Sequence, residues 1–158
     1  MFSKKVQLTF FLSSLLALAS VYLLQFVFGI IPCKLCLYER IPYFVVMMLS
    51  LFSLLRTYKI VIYIMFFSYS VGAIISFYHV GLELHWFSDI LSCARKFDTL
   101  SFDAIKGSLL DSSYVATCDR PHILLGLSIA QWNLIYSVFW LIINLFLYNA
   151  YENQQLKK

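Results

Sequence analysis

Charge is scarce in this chain. Asp, Glu, Lys and Arg make up 13% of the 158 residues against 61% hydrophobic, and no formally charged side chain lies between Val6 and Ile31. A mean hydropathy of +0.81 is far above that of soluble proteins. A soluble fold of this size has too little interior to hide so much apolar surface, so lipid is the expected solvent. The net charge of +4 is too small and too scattered for a nucleic-acid partner. Internal repeats and low-complexity tracts are also missing, and the length fits one domain.

What is present is apolar sequence in four runs. They predict an all-α membrane protein, residues 1–158 forming a single four-helix transmembrane bundle with a long extracytoplasmic loop. The expected spans are residues 6–31, 36–55, 60–79 and 129–147, with the loop at 80–127. The first run also resembles a secretory signal, with Lys4, Lys5 and an Ala17-Leu18-Ala19 cleavage motif. It continues through Val21, Leu23, Leu24 and Phe26 to Phe28, and cutting after Ala19 would strand an apolar stub, so an uncleaved helix is expected. The second span reaches bilayer length only if it starts near Cys36. Pro42 then falls in its second turn, crowding the Tyr38 carbonyl and predicting a kink or loosened turn. Arg56 to Lys59 is a short turn that sets the third span antiparallel to the second. Ser68, Gly72 and Ser76 give the third span a small-residue stripe for close packing.

The last span opens on a capping box, Ser128 with Gln131, and a Leu127–Trp132 staple. Its amides, Gln131, Asn133 and Asn144, are expected to face other helices, because amides in lipid need partners. The outer loop holds Cys93, Cys118, six acidic residues and Arg95, Lys96, Lys106 and Arg120. Within it Phe97, Leu100, Ile105 and Leu109 have near-helical spacing and predict a short surface helix. Basic residues divide equally between the two faces, but Lys4, Lys5, Arg56, Lys59, Lys157 and Lys158 are the denser set and favour cytoplasmic termini. All four cysteines then lie on the outer, oxidising face.

The chemistry concentrates in Cys33-Lys34-Leu35-Cys36-Leu37-Tyr38-Glu39-Arg40. On a helix, Cys33 and Cys36 are i and i+3 and Cys36 and Arg40 are i and i+4, so all three share a face. A helix N-terminus and a permanent cation both favour a thiolate. Arg40 can also hydrogen-bond an oxygen of a bound acceptor, the alternative being an interfacial anchor with Glu39 as its neighbour. His79 could meet the same acceptor from the opposite side; His85, His122, Glu83 and Trp86 read as interfacial residues. Cys93 and Cys118 form either a static loop disulfide, worth about 3 kcal/mol, or an exchangeable one able to meet both a soluble partner and Cys33/Cys36. A four-thiolate zinc site is a third option, disfavoured because the second pair lacks zinc-knuckle spacing.

The Cys33–Arg40 motif, the loop cysteines Cys93 and Cys118, Gln131-Trp132 and the four spans together resemble the DsbB family of disulfide-bond formation proteins. The resemblance implies a bacterial inner-membrane, protein-dithiol:quinone oxidoreductase with cytoplasmic termini and periplasmic cysteines. It implies that a periplasmic DsbA-like thioredoxin-fold partner is oxidised at Cys93–Cys118, with Cys93 taking the mixed disulfide. Cys118 would then attack Cys33, and Cys36 would pass electrons to ubiquinone or menaquinone held by Arg40 and His79. The alternatives are a DsbB relative dedicated to one specialised partner, a vitamin K epoxide reductase-like protein, whose cysteine order fits less well, and a non-catalytic metal-binding or disulfide-stapled membrane protein.

Overall fold

The computed structural model describes residues 2–55, 58–88, 93, 118 and 121–156. Arg56, Lys157 and Lys158, the loop cations, and the surface helix expected around Phe97, Leu100, Ile105 and Leu109 lie outside these residues. The described elements are α1 (Phe2–Phe26), α2 (Lys34–Leu55), α3 (Lys59–Glu83), a two-stranded hairpin of β1 (Ile123–Leu124) and β2 (Leu127–Ser128), and α4 (Ile129–Leu156). Four stretches are long and apolar enough to cross a membrane: Lys4–Phe26, Lys34–Ser53, Lys59–Glu83 and Ile129–Ala150. At 1.5 Å per residue they reach about 30–38 Å, the thickness of a bilayer core or slightly more. The protein is a multi-pass helical membrane bundle.

Helix order around the bundle follows the chain. α2 packs between α1 and α3, α3 packs on α4, and α4 closes against α1. Polar pairs mark the depth of each layer. Near the termini, Thr9 donates to Asn144 Oδ1 at 2.8 Å and the Tyr63 and Tyr148 hydroxyls meet at 3.0 Å. Midway, the Tyr69 hydroxyl meets Ser13 Oγ at 2.6 Å and Tyr136 donates to the Ser13 carbonyl at 2.6 Å. Buried Phe10, Tyr43, Val46, Ile62 and Met65 fill the space between these layers. Outside, Leu16, Met48, Phe52, Phe67, Ile74 and Phe146 are exposed, as side chains solvated by lipid tails should be.

The ends of the helices depart from the expected limits for local reasons. α1 stops at Phe26, short of Ile31. Gly29 takes a left-handed φ of +67°, and Pro32 disfavours helix at the residue before it. The Leu23 carbonyl accepts Val27 and Phe28 N–H at 2.9 and 3.4 Å and the Leu24 carbonyl accepts Ile30 N–H at 3.2 Å, so the last turn closes on itself. α2 starts at Lys34 and stays helical through Pro42. Its partner there is Gly72, where an added Cβ would lie 3.3 Å from Pro42 Cβ; the small-residue stripe of α3 thus receives the proline ring.

α4 begins on the capping box read from the sequence. Ser128 N–H donates to Gln131 Oε1 at 3.0 Å and Gln131 N–H donates to Ser128 Oγ at 3.1 Å. Trp132 donates its indole N–H to the Leu124 carbonyl at 2.9 Å, tying the hairpin to α4. The hairpin itself was not legible. Its turn places Leu125 and Gly126 at φ 53° and 87°, the doubly positive turn that two-residue hairpins use, but with Leu where Asn or Asp usually signals it. Replacing Gly72 with Leu forces a side chain into Pro42 and should lower bundle stability by about 1–3 kcal/mol. Thermal unfolding in detergent measures this, and an unchanged midpoint would contradict the proposed close approach.

Candidate functional site

One end of the bundle gathers the start of α2, the ends of α1 and α3, and the start of α4. Pro32 and the non-helical residues before it deliver Cys33 to the residue immediately before α2. The Cys33 carbonyl accepts the Leu37 N–H at 3.3 Å, and its sulfur accepts the Cys36 N–H at 3.3 Å. The thiol therefore does what a Ser or Asp oxygen does at other helix N-termini. That cap draws the two sulfurs to 3.0 Å. The Cys33 thiol is held well below its usual 9.0, at about 4. The hydrogen bond from Cys36 contributes most, and His79 and the backbone N–H assist against the opposing effect of burial.

A chain of hydrogen bonds runs inward from Cys33 across three helices. His79 Nε2 lies 3.6 Å from Cys33 Sγ, and its Nδ1 meets Glu39 Oε1 at 2.9 Å. Asn133 Nδ2 donates to Glu39 Oε2 and to Ser76 Oγ, each at 2.8 Å. Tyr43 donates to Asn133 Oδ1 at 2.8 Å. Glu39 and His79 are both buried, so every polar atom there needs such a partner. The result is an imidazole whose ring plane and position are fixed from behind by a carboxylate, with its free face on a thiol.

The loop disulfide closes on Cys33 beside His79. Cys93 and Cys118 are bonded, whereas Cys33 and Cys36 are free thiols. Both loop cysteines are buried against Cys33, Leu35 and Leu82. The ligating atoms of Cys33, His79 and Cys118 all lie within 4.8 Å of one another. A sulfur of the loop pair is thus one short displacement from a sulfur of the helix pair.

Cys36 and Arg40 line a cleft with about 730 Å³ of free space, counting its open mouth. Its outer wall is apolar, formed by Val21, Leu24, Ile30 and Ile31. Arg40 is 9% exposed. Its Nη1 donates to Gln25 Oε1 at 2.7 Å, and its guanidinium carbon lies 5.0 Å from the centre of the Tyr22 ring. Its Nε is buried with no hydrogen-bond partner, and Arg40 forms no ion pair among the described residues. An apolar cleft with an unmatched cationic donor beside a thiol suits a flat, apolar molecule with carbonyl acceptors. A quinone has that chemistry, and the residues present fit it.

All six residues expected at the site, Cys33, Cys36, Cys93, Cys118, Arg40 and His79, occur at this end of the bundle. Two of the contacts around them were not read from the sequence. Both ring nitrogens of His79 are engaged, by Glu39 and Cys33, so it bears on the thiol while also lining the cleft that Arg40 lines. Glu39 is not an interfacial neighbour of Arg40 but the buried partner of His79. Its i+3 spacing from Cys36 was the available signal. Gln25 carried no signal beyond being an amide in an apolar run.

Four membrane spans with a dithiol, its Cys33 buried against a loop disulfide, are the parts of a membrane protein that exchanges thiols for disulfides. The chain belongs to the DsbB family: the family model described as disulfide bond formation protein DsbB matches residues 3–147. It is also 28% identical over 145 residues to an uncharacterized protein of Rickettsia prowazekii (strain Madrid E), covering 88% of this chain and 84% of that relative. Family membership makes it a disulfide-forming membrane oxidoreductase.

The Glu39 network is testable by itself. Asn133→Ala removes a donor from a buried carboxylate and an acceptor from Tyr43, and should lower stability by about 1–3 kcal/mol. The loss should shrink in a Glu39→Gln background, where the carboxylate charge is already gone. Equal losses in both backgrounds, measured by thermal unfolding, would show that Asn133 does not serve Glu39.

Proposed function

We propose that the protein is a protein-dithiol:quinone oxidoreductase of the bacterial inner membrane, with cytoplasmic termini and periplasmic cysteines. Its electron source is a reduced periplasmic DsbA-like thioredoxin-fold protein. The partner's thiolate attacks Cys93 of the Cys93–Cys118 disulfide, making a mixed disulfide and releasing Cys118 as a thiolate. Cys118 attacks Cys33 of the oxidised Cys33–Cys36 pair; the Cys33–Cys118 bond forms and Cys36 departs as a thiolate. The partner's second cysteine displaces Cys93 and leaves oxidised. Cys93 then retakes Cys118, releasing Cys33. Two electrons now reside on Cys33 and Cys36, and the loop disulfide is restored.

The observation that carries this reading is the meeting of Cys118, Cys33 and His79 within 4.8 Å, beside a cleft that contains Cys36 and Arg40. Ubiquinone or menaquinone, when bound, supplies the two-electron, two-proton acceptor. Arg40 has an unused Nε to orient an acceptor carbonyl and a charge to favour developing anion. Cys36 and, after it, His79 favour the thiolate form of the Cys33 sulfur, so that it leaves readily from Cys118 and is ready to rejoin Cys36. The cleft's lining is mostly apolar, which suits a molecule that arrives dissolved in lipid.

The purified protein should catalyse oxidation of a reduced DsbA-like dithiol by a soluble quinone, one disulfide per quinone consumed. Arg40→Gln should raise the KM for quinone about 10- to 100-fold, the worth of a charged hydrogen bond, while the KM for the dithiol partner stays constant. Quinone-independent turnover by the wild type, or an unchanged quinone KM in the variant, would overturn the proposal.

A further inference from the structure

The CxxC pair of α2 has the form of half a zinc knuckle, and the sequence supplies no second half at knuckle spacing. The fold supplies one from elsewhere. Cys118 comes from the loop and His79 from the end of α3, and both converge on Cys33 within 4.8 Å. We propose that the fully reduced protein binds one thiophilic divalent cation of the Zn2+ type through Cys33, Cys36, Cys118 and His79, a redox-gated metal site.

Several independent features favour this donor set. Three thiolates and one imidazole are among the usual sets for tetrahedral zinc, with Zn–S near ~2.3 Å and Zn–N near ~2.0 Å. Those bond lengths put a tetrahedral S···N edge near ~3.5 Å, and the Cys33 Sγ to His79 Nε2 separation is 3.6 Å. The Cys33 and Cys36 sulfurs, at 3.0 Å, need to separate by less than ~1 Å to span an S···S edge. His79 also has the outer partner that zinc-bound histidines have. Its Nδ1 faces Glu39, which Asn133 holds in turn, so Nε2 is the nitrogen aimed at the cysteine sulfurs. The cysteines at 33 and 118 and the histidine are all buried, which excludes competing water.

Gating follows from the sulfur chemistry. A disulfide sulfur has no thiolate to donate, so the Cys93–Cys118 bond removes one ligand and a Cys33–Cys36 bond would remove two. A two-electron reduction by an external dithiol turns Cys93–Cys118 into two thiols, leaving the reductant as its disulfide. Cation binding then displaces one proton from each ligand thiol still protonated. The site thus exists only when both pairs are reduced, the state that accumulates when electrons arrive faster than an acceptor removes them. A cation there engages both sulfurs of the Cys118-to-Cys33 transfer and holds the relay closed until oxidant returns.

This inference depends on the meeting of Cys33, His79 and Cys118, with Cys36 3.0 Å from Cys33, and not on the electron acceptor, so its test uses neither partner nor quinone. The full-length protein in detergent micelles is reduced with a phosphine, freed of reductant without oxygen, and titrated with Co2+. One equivalent should bind, with thiolate-to-cobalt charge transfer and the visible bands of tetrahedral Co2+, and Zn2+ should displace it. Protein with both disulfides formed should show no such spectrum. Cys93→Ser should keep the site, Cys118→Ser and His79→Ala should lose the tetrahedral spectrum, and His79→Cys should restore it. Glu39→Gln should weaken binding about 10- to 100-fold. An absent charge-transfer band in the reduced wild type would overturn the proposal. The same spectrum in oxidised protein, or unchanged spectra in both Cys118→Ser and His79→Ala, would do so too.

Discussion

The contact between His79 Nδ1 and Glu39 Oε1, 2.9 Å long and buried, is the constraint on which this end of the bundle depends. It joins α2 to α3 where apolar packing alone would leave their rotation free. Removing one member of such a pair usually costs about 3–5 kcal/mol, because the other is left buried without compensation. Here Asn133 brings α4 into the same arrangement through Glu39 Oε2. One carboxylate thereby fixes the relative positions of three helices. Its functional consequence is a single imidazole nitrogen aimed at Cys33.

That arrangement gives the two cysteines of the motif different surroundings. Cys33 caps the helix, receives a backbone N–H, and meets His79 and Cys118, whose ligating atoms also lie close to each other. Cys36 lies one turn inward, on the wall of the cleft that Arg40 also lines. The first sulfur is placed for exchange with another sulfur and the second for contact with a molecule in the cleft. Arg40 resembles a binding group because, among the described residues, its charge meets a ring face and an amide oxygen and no carboxylate. A buried guanidinium normally finds a carboxylate.

Much of this was readable before any coordinates. Length and hydropathy dictate four spans, because apolar runs near twenty residues have few other uses. The helical spacing of Cys33, Cys36 and Arg40 places them together, and the Ser128–Gln131 box marks the start of α4. Three things were not legible. The end of α1 at Phe26 depends on a left-handed Gly29 inside an uninterrupted apolar run. The hairpin at Ile123–Ser128 turns on Leu-Gly, a pair with weak turn preference. The burial of Glu39 is a tertiary fact: a charged residue beside Arg40 at a membrane edge looks solvated until α3 supplies His79. The meeting of Cys118 with Cys33, by contrast, was implied by the family resemblance, although no local pattern encodes a contact between residues so far apart.

The central claim is that Cys118 is the loop sulfur placed to exchange with Cys33. It is tested most directly in a chain carrying Cys36→Ala and Cys93→Ala, in which only those two cysteines remain. Mild oxidation in membranes, followed by peptide mapping without reductant, should yield an intramolecular Cys33–Cys118 disulfide in nearly every molecule. The complementary chain retaining Cys36 and Cys93 should yield little. Free Cys33 and Cys118 after oxidation, or equal bridging in the two chains, would contradict the account.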